Sequence, residues 1–132
     1  MIVKATREGL IGHRTATGHI VDLVTPHVAL PCVAALWRWV KVTNPDNGLS
    51  KVARVLDVGP WEEQDAAYVY GGERPSAESG ADSRGRKTNG AGIDLGEVVW
   101  RALKLRDNQN VDWQFVDDPG LWTFVDPDPT KG

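Results

Sequence analysis

The strongest constraint on this chain is a turn sequence between two alternating runs. Residues 44–48 read Asn-Pro-Asp-Asn-Gly, in which proline fixes φ and Asn-Gly supplies positive φ. On either side, residues 38–43 alternate β-branched and aromatic side chains, and residues 51–56 alternate polar and apolar ones. The two runs are therefore predicted to form a β-hairpin.

Further strands are predicted over residues 2–7, 111–116 and 121–125, which carry the same kind of β-branched and aromatic pattern. Residues 95–105 place apolar side chains at helical spacing, and Asp94 is expected to be the N-cap of this single helix. Many short strands, one helix and frequent turn signals in 132 residues indicate a mainly β protein, a small β-barrel.

Residues 62–92 form a long interruption in this pattern. Six of the fourteen glycines lie between Gly71 and Gly92, among Ser, Asp, Arg and Pro residues. Only residues 66–70 are apolar, which predicts at most one short strand there. Because ordering a polar loop of this length costs conformational entropy, we expect a surface loop with a function, such as a rim or lid.

The composition is that of an average soluble globular protein, with 41% hydrophobic and 25% charged residues. The net charge of −3 and the lack of any concentrated basic stretch argue against nucleic acid as a partner. The longest apolar runs are far shorter than the roughly 20 residues that a membrane-spanning helix needs. We therefore expect one domain with no membrane span.

A single cysteine, Cys32, excludes an internal disulfide framework and a multi-cysteine zinc site. His13 and His19 have no partner at metal-ligand spacing, so we expect neither a metal nor a cofactor. The N-terminal residues alternate and carry charge, unlike an export signal. The compartment stays open: a phage-encoded protein, export by another route, or an excised domain acting at the bacterial cell wall would each fit.

Asp22, His27, Asp57 and Asp94 stand at predicted strand ends and turns, and they are the candidate catalytic residues. Two carboxylates facing one site are what glycosidic cleavage needs, one protonated as an acid and the other charged. Each residue also has a purely structural interpretation. Asp57 precedes a Gly-Pro turn that it could cap, Asp94 could be an ordinary N-cap, and His27 could be a core or turn histidine.

Six tryptophans are unusual in so small a chain, and most of them are expected in the core. Trp61 directly follows Gly59-Pro60 beside the proposed site. It is the best candidate for a platform on which a sugar ring stacks, whereas Trp39 is equally well explained by packing.

Five short motifs occur in an order that resembles the rare lipoprotein A-like double-psi β-barrel family. They are Arg-Thr-Ala-Thr-Gly at 14–18, Thr-Pro-His-Val-Ala-Leu-Pro at 25–31, Val-Lys-Val-Thr-Asn at 40–44 with Asn-Gly at 47–48, Arg-Val-Leu-Asp-Val-Gly-Pro at 54–60, and Ile-Asp-Leu at 93–95. That family reads R-T-A-S-G, T-A-A-H-x-x-L-P, V-x-V-T-N with N-G, R-V-x-D-R-G-P and I-D-L-S.

The resemblance implies a six-stranded double-psi barrel related to expansins and family-45 endoglucanases, with a groove for β-1,4-linked glycan. Bacterial members are typically lytic transglycosylases, which cleave between N-acetylmuramic acid and N-acetylglucosamine and leave a 1,6-anhydro end. Asp22, His27, Asp57 and Asp94 match the family's site residues, and in expansins and cellulases the aspartate that matches Asp94 is the acid. Arg14 and Thr15, in the first motif, are expected to bind substrate.

The chain also departs from the family's pattern. The W-Y-G segment of the first strand is absent, since residues 6–12 read Thr-Arg-Glu-Gly-Leu-Ile-Gly, and Val58 replaces an arginine. Three residues are missing between Asp22 and His27, and the loop over residues 62–92 is longer than usual. These departures concern the shape of the groove more than the barrel.

The sequence thus predicts a monomeric double-psi β-barrel over residues 1–125, followed by a flexible acidic tail at 126–132. Its expected partner is peptidoglycan or another β-1,4-linked glycan, and its expected reaction is lytic transglycosylase-like cleavage by carboxylate acid/base catalysis. Three alternatives stay open: an expansin-like polysaccharide-binding module, a protease-inhibitor barrel, or a phage structural protein.

Overall fold

The computed structural model describes residues 1–8 and 11–120, and these residues form a closed barrel of six strands. The strands are β1 (Ile2–Glu8), β2 (His27–Leu30), β3 (Trp39–Thr43), β4 (Ser50–Val58), β5 (Ile93–Gly96) and β6 (Gln109–Val116). Their order around the barrel is β1-β5-β2-β4-β3-β6. The predicted fold class, a mainly β six-stranded double-psi barrel with a short helix, is confirmed.

Two strand pairs are parallel, β1 with β5 and β2 with β4, and the other neighbours are antiparallel. The predicted hairpin is confirmed as β3 and β4, with the Gly48 N–H donating to the Asn44 carbonyl at 2.8 Å. The Asn44 side chain donates to the Leu103 carbonyl at 2.9 Å and so fastens the turn to the segment after the helix.

The helix is shorter than its sequence pattern predicts. Helix α2 spans Glu97–Ala102, and its N-cap is Gly96. The assignment of Asp94 as the N-cap is wrong, because Asp94 lies inside β5 and aligns with Thr6 of β1 and Ala29 of β2. Leu95 fits the helical spacing, but it is a fully buried residue of strand β5. The helical pattern in the sequence therefore starts before the helix itself does.

Strands β2 and β5 have four residues each, and neither shows the alternation that marks the longer strands. All four residues of β2 are buried. A strand that is covered on both faces has no polar side to alternate with, so its sequence reads only as a short apolar run.

The connection from β4 to β5 is anchored to the barrel. It contains α1 (Ala66–Val69), so the strand expected near this position is a helix, and a 3-10 helix over Ser76–Ser79; another 3-10 helix spans Val33–Ala35. Tyr68 is buried, donates to the Gly92 carbonyl at 2.8 Å and accepts from the Trp113 indole at 2.7 Å. These bonds tie the middle and the end of the connection to β6.

The strand predicted at residues 121–125 and the acidic tail at 126–132 lie outside the described residues. Over residues 1–8 and 11–120, no helix is long and apolar enough to cross a membrane. The barrel interior is filled by fully buried aliphatic side chains, which include Val28, Val40, Val42, Val55, Ile93, Leu95 and Val111.

Candidate functional site

Asp94 is a largely buried carboxylate on the short strand β5. Thr6 of β1, its register partner, donates a hydrogen bond from Oγ1 to Asp94 Oδ1. Burial, opposed by the Thr6 hydrogen bond and reinforced by the charge of Asp57, raises the pKa of Asp94 to about 6. The carboxyl therefore holds its proton into the mildly acidic range, as a general acid must.

Asp57, at the end of β4, is the charged counterpart. Its Oδ1 accepts the N–H groups of Ala16 and Val58, each at 2.9 Å. Burial acts to raise the pKa of Asp57, but the neighbouring Glu8 and the hydrogen bonds from the Ala16 and Val58 N–H groups together lower it below its usual value. Asp57 is thus held ionised while Asp94 stays protonated.

The strand register aligns these two aspartates across the barrel wall. Asp94 pairs with Ala29 of β2, and Ala29 pairs in turn with Asp57 of β4. Neighbouring strands lie about 4.8 Å apart, so the backbones of Asp94 and Asp57 are roughly 10 Å apart. The residue between them in the register is Ala29, whose side chain is only a methyl group. The turn after Asp57 also reaches Asp94, since a Cβ on Gly59 would lie 3.8 Å from Asp94 Oδ2.

His27 of β2 and Glu8 of β1 form a second pair, and their strands lie on either side of β5. Glu8, at the end of β1, aligns with Gly96 of β5. Glu8 Oε2 lies 3.1 Å from His27 Nε2. The pair can meet because Gly96 has no side chain: a Cβ there would overlap the His27 ring and approach the His27 carbonyl oxygen to 2.9 Å.

Glu8 and Asp57 lie near enough for each carboxyl to shift the pKa of the other, so Glu8 interacts with both His27 and Asp57. Burial, opposed by the contact with His27 and reinforced by the neighbouring Asp57, raises the pKa of Glu8 to about 7. Sequence reasoning did not single out Glu8. The only signal was its place in the segment that departs from the W-Y-G pattern, at the end of an alternating strand.

Asp22 anchors a tight turn. Its carboxylate accepts the N–H groups of Val24 at 3.0 Å and Thr25 at 2.8 Å, and the Thr25 hydroxyl at 3.0 Å. These bonds lower the pKa of Asp22, although burial acts to raise it. Asp22 Oδ2 also lies 4.0 Å from His19 Nε2, and the His19 ring lies against His27 with centroids 5.5 Å apart. Asp22 therefore reaches the central cluster through His19.

The loop over residues 14–18 covers the Asp57 side of the site. Thr15 is buried and shares a hydrogen bond of 3.1 Å with the Thr17 hydroxyl, which donates to the Leu56 carbonyl at 2.8 Å. Arg14 is exposed and donates to the Gly18 carbonyl at 3.1 Å. Thr15 thus helps to hold the loop, and the Arg14 guanidinium lies on its outer side.

Trp61 follows the Gly59-Pro60 turn and has a φ of 70°. Its indole N–H donates to Asn89 Oδ1 at 2.9 Å, and the Arg86 guanidinium lies 5.8 Å from its ring centroid. Both partners belong to the connection between β4 and β5. The half-exposed ring is therefore held in place by that connection, next to the turn that contacts Asp94.

The structure thus brings Asp57, Asp94 and His27 together with Glu8, and it places Asp22, Trp61, Thr15 and Arg14 in the segments around them. Among the residues that the structure describes, no group of three or more His, Cys, Asp or Glu side chains is arranged to hold a metal ion. A protonated carboxyl beside a charged one is an arrangement that can deliver a proton and stabilise a developing cation.

Comparison with known proteins gives one partial relative. A stretch of 55 residues is 44% identical to the endolytic peptidoglycan transglycosylase RlpA of Vibrio cholerae and covers 39% of this chain, but only 19% of that protein's length. Among solved structures, the Streptomyces papain inhibitor matches over 88% of this chain and 93% of its own, with 19% identity and a TM-score of 0.49.

A family model covers most of the chain. The family described as a domain of unknown function, DUF8814, matches residues 1–114, which include strands β1 to β5, most of β6 and every candidate site residue. With most of its 132 residues matched, the chain belongs to this domain family.

Proposed function

We propose that this domain cleaves the glycan strands of peptidoglycan by lytic transglycosylation, with Asp94 as the acid and base. One observation carries the proposal: a buried carboxyl whose pKa is raised to about 6 lies one aligned residue away from a carboxylate whose pKa is lowered. The partial identity to a peptidoglycan transglycosylase supports this choice of substrate.

In the proposed reaction, the Asp94 carboxyl gives its proton to the glycosidic oxygen as the bond from that oxygen to C1 breaks. The charged Asp57 stabilises the oxocarbenium-like transition state. Asp94, now ionised, takes the proton of the substrate's own C6 hydroxyl as that oxygen bonds to C1. Asp94 ends the cycle protonated as it began, and the product carries a 1,6-anhydro end without consumption of water.

The surrounding residues have supporting parts in this proposal. His27 acts on Asp57 through Glu8, because its closest polar contact is the Glu8 carboxylate. Asp22 supports the site through its turn and His19, and Thr15 holds the loop whose Ala16 N–H binds Asp57. Trp61 would stack on a sugar ring, and Arg14 would contact the glycan from the outer side of its loop.

The test is mass spectrometry of purified sacculi incubated with the protein at pH 5.5. Wild-type protein should release fragments with 1,6-anhydro ends, and Asp94→Asn should release none above background. Glu78→Gln is the matched control, since Glu78 is an exposed carboxylate whose side chain pairs with Arg74 and with none of the site residues named above. Equal release by wild type and Asp94→Asn would refute the proposal.

The same preparations separate cleavage from simple binding. If wild type and Asp94→Asn both sediment with sacculi and neither releases fragments, the domain is a polysaccharide-binding module. If neither sediments nor cleaves, peptidoglycan is the wrong partner.

A further inference from the structure

Glu8 lies between His27 and Asp57. Its carboxylate is 3.1 Å from His27 Nε2, and its side chain is only 18% exposed. Asp57 is near enough for the two carboxyl groups to shift each other's pKa. It also lies in the segment where the chain departs from the family that it resembles. The role of this carboxyl depends on where the protons of the cluster are.

His27 limits the possible arrangements. The ring is fully buried, and its Nδ1 has no hydrogen-bond partner. An N–H at Nδ1 would be an unsatisfied buried donor, which costs about 1–3 kcal/mol. The proton of the neutral ring therefore belongs on Nε2, where it is donated to Glu8 Oε2.

Two carboxyl groups that share a hydrogen bond need one proton between them. Asp57 already accepts the Ala16 and Val58 N–H groups, and such bonds favour its charged form. The shared proton therefore belongs to Glu8, which donates to Asp57 and accepts from His27.

The groups around Glu8 come from several elements. His27 faces it from β2 and Asp57 from β4; the charge of Asp57 in turn raises the pKa of Asp94 on β5, and His19 lies against His27 from the preceding loop. On β1 itself, the Arg7 guanidinium is bound to Glu97. Burial and the neighbouring aspartate thus outweigh the attraction of the imidazole, and the pKa of Glu8 is about 7.

We propose that Glu8 is a positioning residue: an un-ionised carboxyl that bridges His27 to Asp57 and holds Asp57 charged and oriented beside Asp94. Its effect on catalysis rests on the proposed function, but the bridge itself does not. When Glu8 ionises, two adjacent carboxylates repel each other and the bridge to Asp57 is lost.

Glu8→Gln and Glu8→Ala separate this role from others. Glutamine can still donate to Asp57 and accept from His27, so at pH 5.5 its kcat/KM should stay within about threefold of wild type. Alanine removes both bonds and should cost about 100-fold, the usual effect of a misplaced reacting group. If Glu8→Gln is as impaired as Glu8→Ala, Glu8 must transfer a proton or carry charge, and the proposal is overturned.

The pH profile gives a second activity readout that a purely structural role would not change. Ionisation of Glu8 near pH 7 should add about a tenfold loss of wild-type kcat/KM between pH 6 and pH 8, beyond the loss caused by Asp94. Glu8→Gln should lack this additional loss. An identical alkaline limb in both proteins would count against the bridge.

Carbon and nitrogen NMR titrations test the bridge without any substrate. In wild type and in the Glu78→Gln control, Asp57 should titrate below its usual range and His27 should carry its proton on Nε2. In Glu8→Ala, the pKa of Asp57 should rise. If Asp57 titrates identically in wild type and Glu8→Ala, the bridge does not exist; if it shifts while every variant is inactive, the bridge stands and the proposed function fails.

Discussion

Asp94→Asn should make the folded protein more stable at neutral pH, even though it should abolish the proposed activity. The reason is the cost of keeping an ionised carboxylate in a buried position. Asparagine carries no charge, and its side-chain oxygen can still accept the Thr6 hydroxyl. The gain should therefore depend on pH, which separates it from any constant packing effect of the amide.

The magnitude follows from the shift in the pKa of Asp94 from 3.8 to about 6. A shift of about 2 units corresponds to about 3 kcal/mol at pH values where Asp94 is ionised in both the folded and the unfolded chain. A raised pKa means that the folded state prefers the protonated form. The cost is thus absent well below pH 3.8, grows as pH rises through the range from 3.8 to about 6, and becomes constant at higher pH.

Urea unfolding followed by tryptophan fluorescence, at pH 4 and at pH 8, measures this effect. A small part of the cost is already present at pH 4, so the free energy of unfolding of Asp94→Asn relative to wild type should increase by about 2–3 kcal/mol between the two pH values. The slope with urea should be the same in both proteins. A stability difference that does not change with pH would show that Asp94 is not buried as an acid.

Asp57→Asn is the opposite control. The pKa of Asp57 is lowered in the folded chain, so its ionised form stabilises the protein above pH 3.8, and this contribution is lost as pH falls through the lowered value. Asparagine at this position should therefore lose stability relative to wild type as pH rises. If both variants respond to pH with the same sign, the two carboxyl groups do not have separate protonation states.

Three further substitutions test the scaffold around the carboxyl groups. Gly96→Ala should lower the free energy of unfolding by about 1–3 kcal/mol, because the added methyl overlaps the His27 ring, and the His27 NMR signals should move with it. Asp22→Ala should cost about 1 kcal/mol in urea unfolding, whereas Asp22→Asn, which can still accept the turn N–H groups, should cost less. Trp61→Ala should weaken sedimentation with sacculi about fivefold or more, and Trp61→Phe less, if the ring stacks on sugar.

Strands β1, β3 and β6 could be predicted because buried and more exposed residues alternate along each of them. In β4, residues 53–56 are all buried, and the turn before it made the hairpin recognisable. An alternating strand repeats every two residues, and the Asn-Pro-Asp-Asn-Gly turn fixes the pairing of β3 with β4. Strand β5 could not be recognised in the same way. Leu95 has the spacing of the apolar residues in the helix that follows, so the sequence pattern predicts one helix over both elements. Asp94 is therefore predicted at the start of a helix, whereas it lies inside the sheet.

The candidate site was only partly predictable for a related reason. Asp57, Asp94 and His27 stand in short motifs that can be recognised locally. Glu8 becomes meaningful only through its contact with His27, and that contact depends on the missing side chain of Gly96, which is 88 positions along the chain from Glu8. No local pattern reports an alignment between strands so distant in sequence.

The order of strands around the barrel has a consequence for how this site can be lost. Four consecutive strands of the barrel, β1, β5, β2 and β4, each contribute one residue to the site: Glu8, Asp94, His27 and Asp57. No fragment that ends before residue 94 contains the complete set, and the loss of any one of these strands removes one of the four residues. Activity should therefore be lost at the urea concentration at which the barrel unfolds. An activity assay would then also report whether the barrel is folded.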